Sequence, residues 1–218
     1  MARRDRRKKP SRNLKQGKKI LVVVEGRVTE RQYIEALGRR LGVGGGAIDL
    51  DNRHTDAIGI VNRAKQIQNS LHRPDKYDHV WCVFDVEAKR DQKARFGLDE
   101  AIDAASRTRG DGKIELAISN PCFEIWLLWH EAEQTAPIYS DDVQRSCIER
   151  GITFGKDGKR IRAIAALIEN GLEGARSKAE AAEGTHTRNG STKPEDMNPS
   201  SGVYRLIDAI EKAFPLAE

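Results

Sequence analysis

The stretch from Ile20 to Leu37, ILVVVEGRVTERQYIEAL, decides the fold. Its first five residues are apolar and mostly β-branched, which is typical of a parallel strand that is covered on both faces. The strand ends at Glu25 and Gly26, and a helix is predicted next, because Thr29 and Gln32 form a capping-box pattern before apolar residues at helical spacing. A carboxylate at the end of a buried strand is costly unless it has a partner or a function.

Apolar runs and amphipathic segments continue to alternate along the chain. This order predicts an α/β fold with one parallel sheet of about four strands and helices on both faces, followed by a helical C-terminal extension. We expect an α/β core at 19–135 and the extension, packed on that core, at 136–218. The predicted strands are 18–26, 47–51, 79–87 and 113–119, and the predicted helices are 29–42, 56–71, 98–109, 122–131, 139–150, 159–183 and 201–214.

Positive charge is concentrated at the N-terminus. The formal net charge is +5 over 218 residues, but residues 1–19 contain ten Lys or Arg and a single acid, so the remainder is slightly acidic. Residues 1–18 contain too few apolar side chains to fold and are predicted to form a disordered basic tail. The tail either binds a nucleic-acid backbone or an acidic partner, or serves only as a solvated arm. Its candidate nucleic-acid contacts are Arg3, Arg4, Arg6, Arg7, Lys8 and Lys9.

Several classes of protein are disfavoured by composition. No apolar run approaches the roughly 20 residues of a membrane span, and the basic N-terminus is not followed by the apolar core of a signal peptide. Cys82, Cys122 and Cys147 are odd in number and far apart, so they predict neither a disulfide framework nor a zinc site. A reducing cytoplasm is the expected location.

Acids end two of the predicted strands. Glu25 follows the first, and Asp85 and Glu87 end the third, at the edge where open parallel sheets bind their ligands. Two residues apart in extended backbone, Asp85 and Glu87 would point to the same face. Carboxylates held together favour a hard divalent cation, Mg²⁺ or Mn²⁺. The alternative is that these acids merely end their strands, as single acids often do.

Four motifs carry a resemblance to a known family. A strand followed by Glu-Gly and a helix, then a strand ending in Asp-x-[Asp/Glu], resembles the magnesium-binding Toprim domain of primases, topoisomerases and OLD-type nucleases. The segments LVVVEGRVTERQYIEAL, VWCVFDVE, LAISNPCFEIWLLWH and NPSSGVYRLI are similar to the RloB family of Toprim proteins, found among phage-defence (abortive-infection) genes. The resemblance covers about 19–214.

The resemblance implies a role for each matching acid. Glu25 would be a metal ligand or a general acid/base, and Asp85 and Glu87 would be metal ligands. The family's second acid is usually Asp, so Glu87 places activity in doubt. Glu124, one helical turn after the fourth strand, is assigned to the site as a supporting acid. Lys89 and Arg90 would hold a phosphate or are ordinary surface charges, and further candidate phosphate contacts are His130, Lys156, Lys159, His186 and Arg188.

Among the activities of Toprim proteins, hydrolysis is the one that we expect of this chain. A topoisomerase needs a nucleophilic tyrosine on a separate domain and a primase is often joined to a zinc module; we expect neither, because 218 residues leave no room for them and the cysteines do not form a zinc pattern. We therefore expect a Mg²⁺-dependent endonuclease that acts on DNA or RNA. The chain contains no GxxxxGK[ST] motif, so an ABC-type or AAA-type ATPase would be a partner protein. The alternative is a non-catalytic subunit that binds nucleic acid or the ATPase; whether the chain forms a homodimer is left open.

Overall fold

The structure, a computed structural model, describes residues 18–43, 46–53, 56–87 and 97–215. These residues form a central five-stranded sheet, a separate two-stranded hairpin and seven α-helices. The strands are β1 (Ile20–Val24), β2 (Ile48–Asp51), β3 (His79–Asp85), β4 (Ile114–Asn120), β5 (Thr153–Phe154), β6 (Arg160–Ile161) and β7 (Ser200–Ser201). The helices are α1 (Thr29–Arg40), α2 (Ala57–Ser70), α3 (Leu98–Ser106), α4 (Glu124–Trp129), α5 (Ser140–Glu149), α6 (Ile164–Arg188) and α7 (Val203–Ala213).

The central sheet has the strand order β2-β1-β3-β4-β7, and its first four strands are parallel. This confirms the predicted fold class. All five residues of β1 are buried, as expected of a strand with helices on both faces. The register places Val24 of β1 beside Val83 of β3, and Asp85 beside Ser119 of β4. The carboxyl ends of β1, β3 and β4 therefore lie next to one another.

Two apolar cores cover the two faces of the sheet. Successive side chains of β1 point alternately into one core and the other. Val22 and Val24 belong to the larger core, which α1, α4, α6 and α7 complete, whereas Leu21 and Val23 belong to the core under α2 and α3. The C-terminal helices are thus part of the main core; Leu172 of α6, for example, is buried in it.

The strand β7 was not predicted. Its two residues pair antiparallel with the end of β4, Ser201 opposite Ser119 and Ser200 opposite Asn120. Asn198, just before it, makes two hydrogen bonds with the backbone of Ile138. The NPSSG part of the fourth sequence motif therefore attaches the C-terminal segment to the edge of the sheet.

The hairpin of β5 and β6 also departs from the prediction, which placed a polar loop there and began the next helix at residue 159. The strands pair antiparallel, Thr153 with Ile161 and Phe154 with Arg160. The helix α6 consequently begins at Ile164. Strands of two residues are too short to show a hydrophobic period, so the segment could be read only as a polar loop.

The cysteines share one environment. Cys82, Cys122 and Cys147 are all free and buried, where they pack as small apolar side chains. Within the described ranges, no helix combines the length and apolarity that crossing a membrane would require.

Candidate active site

Three of the acids predicted from the sequence converge at the carboxyl edge of the sheet. Glu25 directly follows β1, Asp85 ends β3, and Glu124 begins α4 just beyond β4. Glu25 Oε2 accepts a hydrogen bond from the backbone N–H of Asp85, at 3.3 Å. The backbone N–H of Glu25 in turn donates to Val83 O, at 3.0 Å, so the pairing of β1 with β3 continues to Glu25 and fixes its place.

A fourth carboxylate, Glu30, joins these three and was not predicted. It lies in the first turn of α1 and is only 6 % exposed. Its carboxylate packs against Gly26, where an added Cβ would stand 1.7 Å from Glu30 Oε2. Any side chain at position 26 would thus occupy the space of this carboxylate, which gives the Glu-Gly pair after β1 a steric reason. We call Glu25, Glu30, Asp85 and Glu124 the acidic cluster.

Lys159 supplies positive charge to the cluster from the hairpin. Its Nζ lies 2.9 Å from Glu124 Oε1, and Glu124 is only 2 % exposed. The Thr29 hydroxyl lies 3.5 Å from the same oxygen. A nearly buried carboxylate needs such partners, because an unpaired charge in this position would be costly.

The pKa values show that the acids repel one another. Burial raises the pKa of Glu30 to about 7, and the negative charges of Glu124 and Glu25 add to this. Burial likewise raises the pKa of Asp85 well above its usual range, with contributions from the charges of Glu30, Glu124 and Glu25. Burial acts to lower the pKa of Lys159, but its carboxylate neighbours, Glu124 foremost, raise it overall. Repulsion between the carboxylates therefore adds to the effect of burial on these pKa values.

Glu87 departs from the geometry expected of it. The prediction assumed extended backbone through Glu87, but β3 ends at Asp85. The backbone N–H of Val86 donates to Ser119 O, and that of Glu87 donates to Pro121 O. Glu87 itself has a φ of 57°, in the left-handed region. The argument that Asp85 and Glu87 share a face of one strand was therefore wrong, and a role for Glu87 as a ligand stays a prediction.

The supposed capping box of α1 holds the hairpin instead. Val28 precedes the helix, and no side chain caps its first turn. The Thr29 hydroxyl donates to Lys159 O at 3.1 Å, and Gln32 Oε1 accepts from the backbone N–H of Ile161, also at 3.1 Å. The capping-box prediction was wrong because tertiary partners from the hairpin take both side chains. These bonds bring Lys159 to the acidic cluster.

The other predicted contacts include two histidines, and eight basic residues that the structure does not describe. The histidines have structural partners: His130 lies between the Tyr33 hydroxyl and Trp126 O, at 3.0 and 2.9 Å, and His186 Nε2 lies 3.0 Å from Pro199 O. Other candidates lie outside the described residues, namely Lys89, Arg90, Arg3, Arg4, Arg6, Arg7, Lys8 and Lys9.

The donor chemistry of the cluster suits a hard divalent cation, because four carboxylates offer only oxygen ligands and repel one another. Among the residues that the structure describes, however, no three His, Cys, Asp or Glu side chains are arranged to hold a metal ion. The ligand type therefore fits Mg²⁺ or Mn²⁺, whereas the side-chain positions do not form a ready three-ligand site.

The chain belongs to the RloB-like protein family, whose sequence model matches residues 20–210. The match begins at the first residue of β1 and ends within α7, so it includes the acidic cluster and Lys159. The comparison with curated proteins found no match. The family resemblance drawn from the four sequence motifs is thereby confirmed.

Proposed function

We propose that this RloB-like chain is a Toprim-type, divalent-metal-dependent nuclease that hydrolyses phosphodiester bonds of DNA or RNA in bacterial anti-phage defence. The observation that carries the proposal is the convergence of four carboxylates, two from the first turns of α1 and α4 and two from the ends of β1 and β3. Glu30 and Glu124 are buried and Glu25 and Asp85 half-buried. Holding like charges together in this way destabilises the fold, and proteins accept that cost chiefly at functional sites.

Each residue of the cluster has a role in this proposal. Glu25 and Asp85, with Glu87, would hold Mg²⁺ or Mn²⁺, and Glu124 would support them while paired with Lys159. A bound divalent cation supplies neutralisation of the phosphodiester charge and activation of water. Glu30, whose pKa is about 7, can hold or release a proton near neutral pH and so could serve as an acid or base at its carboxylate.

The remaining elements of the proposal are partners. The basic residues of the N-terminal tail would add affinity for nucleic acid that does not depend on sequence. An ABC-type or AAA-type ATPase would act beside the chain, since the sequence contains no phosphate-binding GxxxxGK[ST] motif of its own.

A nuclease assay tests the proposal. The purified chain, alone and with a neighbouring ATPase, is incubated with single- and double-stranded DNA and with total tRNA in Mg²⁺ or Mn²⁺. We expect cleavage that EDTA abolishes and that Asp85→Asn lowers more than about 100-fold. The matched control is Asp103→Asn, the same change at an exposed position of α3, which should leave the rate unchanged. Equal cleavage by Asp85→Asn would refute the site assignment.

One observation favours a second function, that of a non-catalytic subunit. Lys159 already neutralises Glu124, and no described group of three acids is arranged to hold a metal ion. A chain of this kind would keep the fold and act by binding nucleic acid or the ATPase. Phage challenge of cells distinguishes the two: protection that survives Asp85→Asn favours the subunit, and protection lost with that change, but kept with Asp103→Asn, favours the nuclease.

A further inference from the structure

The β5–β6 hairpin has two chemically different faces. Thr153 and Ile161, which pair across the strands, are buried against the body of the protein. Phe154 and Arg160, the next pair, are exposed. Since side chains alternate across a strand, the hairpin presents one apolar inner face and one outer face that carries an aromatic ring and a cation.

The hairpin segment carries exposed positive charge. Lys156, Arg160 and Arg162 are all exposed, and none of them forms an ion pair with any residue in the described ranges. The acid of this segment, Asp157, accepts a hydrogen bond from the backbone N–H of Lys159 at 3.2 Å. Three exposed cations against one acid give this segment a net positive charge, which would attract an anionic partner.

An exposed aromatic ring lies among these cations. Phe154 is 38 % exposed, and the guanidinium carbon of Arg162 lies 5.2 Å from the centre of its ring. A ring beside a guanidinium is a pair on which the face of a further planar group can stack. Aromatic rings and arginines next to phosphate-binding cations are the means by which proteins bind unpaired bases.

The hairpin is fixed directly beside the acidic cluster. Its inner side attaches to α1 through the bonds of Thr29 and Gln32 described above. Lys159, which directly precedes β6, points inward to Glu124 while its neighbour Arg160 is exposed. A strand bound along the outer face would therefore be separated from the carboxylates by the hairpin alone.

We propose that the outer face of the hairpin binds single-stranded nucleic acid, with a base stacked on Phe154 and phosphates held by Lys156, Arg160 and Arg162. This inference rests on the proposed function, because it takes the acidic cluster as the place where the strand is cut. A single strand is the occupant that fits, since paired bases in a duplex do not offer their faces to a protein ring.

Binding measured without metal tests this surface separately from cleavage. Fluorescence anisotropy of labelled single-stranded DNA and RNA, in EDTA and about 0.15 M salt, is compared with a duplex of the same sequence. We expect the full-length protein to bind a single strand more tightly than the duplex. Phe154→Leu, which keeps apolar volume but removes the aromatic face, should weaken binding about tenfold, and Phe154→Tyr should retain it.

The cations are tested with a matched pair of double variants. Arg160→Gln with Arg162→Gln should weaken binding and lower the slope of log K against log salt by roughly 1.4, as expected for two lost contacts with a single strand. Arg39→Gln with Arg40→Gln removes two exposed arginines at the far end of α1 and should leave the slope unchanged. Thermal unfolding of every variant checks that it is folded.

The outcomes separate this inference from the nuclease proposal. Wild-type binding by folded Phe154→Leu and Arg160→Gln/Arg162→Gln proteins, or tighter binding to the duplex, overturns the assigned surface whether or not cleavage occurs. Impaired binding by these variants supports the surface, and it does so even if wild-type protein cuts nothing in Mg²⁺ or Mn²⁺, a result that would overturn only the nuclease.

Discussion

Lys159 Nζ lies 2.9 Å from Glu124 Oε1, and this contact joins a carboxylate that is 2 % exposed to a lysine whose side chain is 38 % exposed. The lysine therefore reaches from the surface into the cluster. An ion pair of this kind depends on both partners, because removing one leaves the other charged and poorly solvated.

Replacing Lys159 should reveal this dependence. We expect Lys159→Met to destabilise the fold by about 1–3 kcal/mol, below the range for fully buried pairs because Lys159 is partly exposed. Glu124→Gln added to this variant should restore most of the loss. Urea unfolding of the double-mutant cycle measures the coupling. Lys113→Met, which breaks the exposed pair with Glu115, is the control and should cost less than about 1 kcal/mol; equal costs at both sites would contradict this account.

Gly26→Ala should displace the Glu30 carboxylate, since the new Cβ would stand 1.7 Å from Oε2. We expect a loss of about 1–3 kcal/mol, the usual cost of overpacking, and recovery when Glu30→Ala is added. Gly174→Ala in α6 is the matched control: nothing lies within 4 Å of its added Cβ, so it should gain up to about 1 kcal/mol in helix propensity. Chemical denaturation measures all three variants, and a Gly26→Ala protein as stable as wild type would exclude the close packing described.

Cation binding should release protons near neutral pH. The pKa of Glu30 is raised to about 7, so this carboxyl is about half protonated at pH 7, and a bound cation favours its charged form. Isothermal titration with Mn²⁺ in buffers of different ionisation enthalpy should show at least about half a proton released per ion. Glu30→Gln should reduce that number. Mn²⁺ binding with no proton release at pH 7 would argue against a cation in the cluster.

Acid should destabilise the protein through His130. Burial lowers the pKa of this histidine to about 4, from 6.5 when unfolded. Between pH 6.5 and 4, His130 is therefore protonated in the unfolded chain but neutral in the folded protein. The stability contributed by neutral His130 is complete above pH 6.5 and falls as the pH drops to 4. The difference is on the order of 3 kcal/mol.

Glu30 acts in the opposite direction, since its raised pKa makes protonation favour the folded state between pH 7 and 4.5. The contribution of His130 is therefore measured as the difference between wild type and His130→Gln, by urea unfolding at several pH values. A difference that does not change between pH 6.5 and 4 would show that His130 does not titrate as stated.

The part of the site that lies on the sheet could be predicted from the sequence. Parallel strands bring their carboxyl ends to one edge, so acids after β1 and β3 had to meet, and Glu25 does contact the backbone of Asp85. The prediction of extended backbone at Glu87 was wrong because the sequence Asp-Val-Glu does not indicate where the strand ends. The left-handed φ of Glu87 could not be predicted from these residues.

Glu30 and the hairpin were missed for different reasons. Glu30 lies three and four residues before Tyr33 and Ile34, on the buried stripe of α1, and an acid on an apolar stripe was a signal available in the sequence. Lys159 gave no such signal, because its partner Glu124 is 35 positions away and the two meet only in the folded protein. Thr29 and Gln32 showed a local motif that these tertiary contacts override.

The separation of Glu124 from Lys159 also fixes an order of events during translation. All four carboxylates of the cluster leave the ribosome before the lysine that neutralises one of them. A nascent chain that has reached only residue 124 carries these acids without the lysine that neutralises Glu124. Completion of this edge of the sheet must therefore wait for the hairpin, which makes assembly of the charged centre a late step in the biogenesis of the protein.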